Sequence, residues 1–172
     1  MLTDFDIKLF YLINKNCSNR IFDFLMPFIS ELGSIEVLIL ISLAIFFLMK
    51  RRKKKVAILL FAGIAITYLI VYFLKNWIAR PRPFAVLPDV HLIIYGKKGL
   101  SFPSGHAAQS FMAATILSRF FRRYMIFFVI ALFVCFSRVY VGLHFISDVV
   151  AGALIGTLIG YALTIASKPE SF

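Results

Sequence analysis

Residues 56–74 read VAILLFAGIAITYLIVYFL, nineteen residues without a charge, with Lys75 directly after them. A stretch of that length and apolarity suits one pass of an α-helix through a bilayer, which takes about 20 residues. Immediately before it stands Lys50-Arg51-Arg52-Lys53-Lys54-Lys55, and before that a second apolar run, 35–49. Further runs follow at about 105–118, 124–137 and 145–166, and a weaker one at 20–32 carries Asp23, Pro27 and Glu31. The pattern predicts an all-α, integral membrane six-helix bundle. Charges interleaved with apolar residues over Asp4–Asn14 predict a short amphipathic N-terminal helix lying in the interface, or else the first turns of a longer helix.

Composition agrees with this reading. The 172 residues are 61% apolar and 16% charged, against roughly 45–50% and 25% in water-soluble domains. Six spans use about 120 residues, so residues 1–172 form a single membrane-embedded domain whose site must be built from helix ends and short loops. The net charge of +11 does not imply nucleic acid, because so few polar residues cannot line a basic, water-facing groove. The start Met1-Leu2-Thr3-Asp4 lacks the basic and then apolar pattern of a cleaved leader. Cys17 and Cys135 are too few for a disulfide framework or a thiolate metal site.

Lysine and arginine in short loops mark the cytoplasmic side. Residues 50–55 and Arg119, Arg122 and Arg123 can share one side, because two spans and the long segment 76–103 separate them. That arrangement places both termini in the cytoplasm, Cys17 and Cys135 near opposite faces, and segment 76–103 outside with the start of the 105–118 helix. Lys75, Arg80, Arg82, Lys97, Lys98 and Arg138 then lie on the wrong side for the rule, and an anionic ligand explains them, since arginine and lysine bind phosphate well.

Three clusters meet on that external face. Lys75 ends a helix and Arg82-Pro83 follows on a stiff segment. Pro103-Ser104-Gly105-His106 opens a helix, with Ser104 as N-cap, free N–H groups suited to an anion, and Gly105 allowing close approach. Ser137-Arg138 precedes His144 and Asp148, which are four residues apart and share a helix face, so that the carboxylate would fix the histidine's tautomer. Ionisable groups bordering spans are costly and point to function.

Lys75-x6-Arg82-Pro83, Pro103-Ser104-Gly105-His106 and Ser137-Arg138-x5-His144-x3-Asp148 together resemble the three-part signature of the type 2 phosphatidic acid phosphatase superfamily, which includes vanadium haloperoxidases. The resemblance implies catalytic roles for His144 (nucleophile forming a phosphohistidine), Asp148 (its orienting carboxylate) and His106 (general acid). It implies that Lys75, Arg82, Ser104, Gly105 and Arg138 bind the phosphoryl oxygens. No metal or other cofactor is implied, and the partners are a membrane lipid phosphate and the bilayer itself, in the cytoplasmic membrane with the site facing outward. Phosphatidylglycerol phosphate, undecaprenyl pyrophosphate, phosphatidic acid and lipid A 1-phosphate are all candidate substrates. The rival is a lipid-phosphate transporter or binding protein that performs no hydrolysis.

Several residues fall outside the signature. Arg80 contacts either phosphate or a lipid headgroup, His91 is read as a loop residue, and Lys97 and Lys98 are candidates for substrate preference. Gly152, Gly156 and Gly160 continue the four-residue spacing of His144 and Asp148 and predict a close helix contact that holds His144 rigidly.

Overall fold

The computed structural model describes residues 3–50, 54–96, 99–121 and 124–167. Their regular structure is helical: α1 (Asp4–Tyr11), which continues into a π-helical turn (Leu12–Asn16), α2 (Arg20–Glu31), α3 (Ile35–Leu48), α4 (Lys54–Ile78), α5 (Pro83–Val86), α6 (Gly105–Phe121), α7 (Tyr124–Tyr140) and α8 (Ile146–Ala166). Side-chain caps fix three starts: Thr3 accepts from the Asp6 N–H, Asn19 from Phe22 and Ser34 from Val37. Hydroxyls inside the helices, such as Ser42 and Thr115, donate to the carbonyl four residues back, which satisfies them where no water is available.

Helix α6 is central and packs on α8, α7 and α4. The glycine seam is what brings α8 so close. A Cβ on Gly156 would lie 2.0 Å from the Ala108 carbonyl oxygen, and one on Gly152 would lie 2.5 Å from that of Ser104. Both obstacles are backbone, so only glycine fits. The far half of the bundle is a core of Leu38, Ile45, Leu60, Ile64, Met112 and Ile116, and exposed rows such as Leu154, Leu158 and Tyr161 face outward. Helices α4 and α8 are long and apolar enough to cross a membrane, whereas α2 and α3 qualify only as a pair bent by 57°.

The N-terminal third departs from the expected layout. The Asn19 N–H donates to the Tyr140 hydroxyl, Phe22 packs on Phe136 and Tyr140, and beyond the other end of α2 a Cβ on Gly33 would touch Val134. Both ends of α2 therefore meet α7 between residues 134 and 140, about 9 Å of helix axis. A 12-residue helix so placed is too short to cross on its own, so the expected separate span at 20–32 is met only in part: α2 is long and apolar enough to cross only as a bent pair with α3. Helix α1 lies at the same end. Its Phe10 is fully buried against Phe145, and its Asp6 is buried too, so one face of α1 is packed into the protein while Phe5 on the other stays exposed.

The chain's first helix thus sits at the end that carries His144 and Asp148, against the expectation that both termini lie opposite the site. Cys17 and Cys135 are at this end as well, both free, and not near opposite faces. Of the two basic runs, Arg51, Arg52, Lys53, Arg122 and Arg123 lie outside the described residues, as do Lys97 and Lys98.

Candidate active site

His144 sits in the turn between α7 and α8. Gly142 makes that turn, with φ +84°, in a space where a Cβ would strike Val90 and the His91 carbonyl. Asp148 is in the first turn of α8 and reaches back: its Oδ2 accepts the Phe145 N–H at 2.8 Å, capping the helix with the same oxygen that faces His144 Nδ1 at 3.6 Å. That last separation is longer than a hydrogen bond. The Ser101 hydroxyl bridges the two groups, donating to Asp148 Oδ2 and lying 3.5 Å from His144 Nδ1. Asp148 is fully buried and His144 is 2% exposed.

The α6 start is tied to the same point, because the Ser104 N–H donates to the Asp148 carbonyl at 3.0 Å. Ser104 in turn caps α6, its hydroxyl receiving the Ala107 N–H. Lys75, from the end of α4, donates to the Leu100 and Ser101 carbonyls at 2.7 and 3.2 Å. Arg82 donates to the Gly99 and Leu143 carbonyls at 3.2 and 3.3 Å. Arg138 is 2% exposed and donates through Nη1 to the Ser30 hydroxyl, while its buried Nε has no partner. All three cations act on His144: burial first, then Arg138, Arg82 and Lys75, hold its imidazole well below the usual histidine range. The ring is therefore neutral at physiological pH, with the lone pair a nucleophile needs.

His106, in the first turn of α6, lines a cavity of about 340 Å³ with Lys75, Gly105, Val71, Tyr68 and Glu31. Polar and apolar side chains are mixed in its lining, with Lys75 and His106 beside Val71 and Tyr72, and His144 is not among its lining residues. The structure thus gathers His106, His144, Asp148, Lys75, Arg82, Ser104, Gly105 and Arg138 at one end of the bundle.

Several residues at this site had no signal in the sequence. Ser101 lies in the long segment 76–103 and Ser30 in α2, and neither belongs to a motif. Arg80 is buried and bonded to Asp148, Asp6 and Ser147. His91 bonds Asp23 through Nε2 at 2.9 Å, so it fastens the loop to α2.

The sequence pattern of the PAP2 superfamily matches residues 56–171, which includes every residue gathered here. The chain belongs to the PAP2 superfamily. It is 34% identical over 159 residues to an undecaprenyl-diphosphatase of Sulfolobus acidocaldarius, covering 91% of this chain and 76% of that one. It is 31% identical over 173 residues to a lipid A 4'-phosphatase of Bacteroides thetaiotaomicron, with 93% and 76% covered. The crystal structure of Aquifex aeolicus LpxE superposes with a TM-score of 0.85 at 33% identity, covering 95% of this chain and 96% of the other. Within this PAP2 fold the apolar helices mark a membrane protein.

Proposed function

We propose that the protein is a membrane lipid phosphatase that removes a terminal phosphate, as a monoester or from a diphosphate, through a phosphohistidine at His144. The observation that carries this reading is a buried His144 with Asp148 behind it and Lys75, Arg82 and Arg138 acting on it, burial and the three cations holding its imidazole below the usual histidine range. Since Nδ1 faces Asp148, Nε2 is the nitrogen that attacks phosphorus. The P–O bond to the lipid breaks as the P–N bond forms, and His106 gives its proton to the departing lipid oxygen. Water, losing its proton to His106, then attacks the phosphohistidine and releases inorganic phosphate. The cations hold the three equatorial oxygens throughout. The lysine and arginine bonds to carbonyls of residues 99–101 and 143 are those a phosphate would replace.

The cavity supports a lipid substrate, because a phosphate at Lys75 and His106 leaves its chain along Val71 and Tyr68. The names of the relatives support an isoprenyl diphosphate or a lipid A phosphate, and phosphatidylglycerol phosphate and phosphatidic acid complete the set to be tested. Catalysis without a metal is part of this reading, and the chelator arm below tests it.

Helices α3, α4, α6, α7 and α8 are read as five crossings, with α1 and α2 on the outer face beside the site. Apart from the cations committed to the site, the two short loops around 50–55 and 119–123 then hold most of the basic residues, which supports a cytoplasmic location for them and for the end of α8. The test is phosphate release from a panel of purified lipid phosphates, with and without chelator, by the wild type and His144→Ala. Release that needs His144 and survives chelation is expected. A protein that binds the lipids and releases no phosphate would establish the transporter or binding reading instead.

A further inference from the structure

The most connected side chain behind the site belongs to no part of the signature. Arg80 is 8% exposed and lies over the Phe145 ring, its guanidinium carbon 4.3 Å from the ring centre. Its Nη1 donates to Asp148 Oδ1 at 2.6 Å and to the Ser147 hydroxyl, and its Nη2 donates to Asp6 Oδ2. Only its Nε has no partner. Asp6, 5% exposed, also accepts the Ser147 N–H through Oδ1 at 3.1 Å and the Ser147 hydroxyl through Oδ2. A carboxylate from α1 thus caps α8 from outside, at the turn that carries Asp148. The two oxygens of Asp148 are thereby divided: Oδ1 is taken by Arg80, and Oδ2 is left for the Phe145 N–H, Ser101 and His144. The carboxylate cannot rotate toward or away from His144 without breaking a charge-assisted bond in a dry interior.

We infer that Arg80 and Asp6 form a positioning pair for the catalytic carboxylate, so that the N-terminal helix α1 is a working part of the active site although it contributes nothing to phosphate binding. The inference rests on the reading of Asp148 as the partner of His144. It accounts for the burial of three charged groups at one helix end, a costly arrangement in which every charge has an opposite neighbour. It also explains why Arg80 and Arg82, one proline apart, go to different places: Arg82 faces carbonyls that a phosphate replaces, while both terminal nitrogens of Arg80 are held by carboxylates.

The test measures lipid phosphate hydrolysis in detergent by purified Asp6→Asn, Arg80→Lys, Arg80→Gln and Asp148→Asn, singly and with Asp6→Asn combined with Asp148→Asn. Asp6→Asn is expected to lower kcat by about 10-fold or more with KM within about 2-fold, since orientation and not binding is lost. Arg80→Lys should recover part of the kcat that Arg80→Gln loses, because a lysine still reaches one carboxylate. In the Asp148→Asn background, adding Asp6→Asn should cost less than about 2-fold, since both act through one carboxylate. Equal losses in the two backgrounds, a loss confined to KM, or an unchanged kcat in folded Asp6→Asn would each overturn the pair. If Asp6→Asn does not fold, the Arg80→Lys and Arg80→Gln comparison decides alone: equal kcat in both overturns it. A wild type that releases no phosphate from any lipid would instead remove the hydrolase reading underneath.

Discussion

The two sides of His144 are built on different principles. On the side of Lys75, Arg82 and Arg138 the cations bond to carbonyls and a hydroxyl, and Arg138 Nε is unpaired. These are neutral partners that a phosphate can displace. On the side of Asp148 and Arg80 charges meet charges, at 2.6 Å between Arg80 and Asp148, and a ligand there would have to displace a carboxylate from each terminal nitrogen of Arg80. An active site that must bind and release an anion keeps exchangeable bonds where the anion goes and fixed bonds behind the nucleophile. Mutations on the two sides should therefore separate, with binding lost on one and turnover lost on the other.

The largest effect is expected at the centre. His144→Gln should abolish steady-state release, by about 1,000-fold or more, because no other group can carry the phosphoryl; phosphate assay on folded protein checks this. Asp148→Asn keeps the shape and the Phe145 cap but loses the charge, and kcat should fall by about 100-fold or more with KM little changed. Arg138→Lys, on the phosphate side, loses a planar two-point contact and should cost about 10²–10³ in kcat/KM. A loss in kcat alone there, or in KM alone for Asp148→Asn, would break the contrast between the sides.

The helix seam behind both sides sharpens the comparison. Gly156→Ala places a methyl group 2.0 Å from a backbone oxygen of α6, so α6 and α8 must separate, at a cost of about 1–3 kcal/mol or more, read as a lowered Tm in detergent. Since α6 carries His106 and α8 carries Asp148, activity should fall on both sides at once. The smallest effect concerns pH. His144 is held below the ordinary histidine value of about 6.5, so protonation ends nucleophilic attack only on acidification below that value. The acid limb of kcat/KM should lie under pH 6.5; a limb above it would contradict a buried, cation-flanked His144.

How much of this was legible in the sequence follows from distance along the chain. The residues from Lys75 to Asp148 have fixed spacings that the fold respects: Ser104 does cap α6, the glycines do form the seam, and the signature residues do meet at one end. The apolar runs from 35 onward became helices within a few residues of the expected bounds. The N-terminal third was misread because hydropathy does not record direction. In residues 20–32 Phe22 and Met26 pack toward Tyr140 while Ile21, Phe24 and Phe28 stay exposed, and the short α2 is bent by 57° from α3, a break that hydropathy does not show. Asp6 is one of the charges interleaved over Asp4–Asn14, and only the fold shows that it is buried against Arg80, 74 residues away. Ser101 and Ser30 had no pattern at all, because a single serine supporting a site from a distant segment leaves no periodic trace.

The central claim is that phosphate passes through His144. Rapid acid-free quenching of the purified wild type with a lipid substrate radiolabelled in its terminal phosphate, followed by peptide mapping, tests it most directly. The account predicts an acid-labile, base-stable label on the peptide that contains His144, lost in His144→Gln and diminished in Asp148→Asn. Hydrolysis at the full rate without covalent label, or with the label on His106, would contradict it.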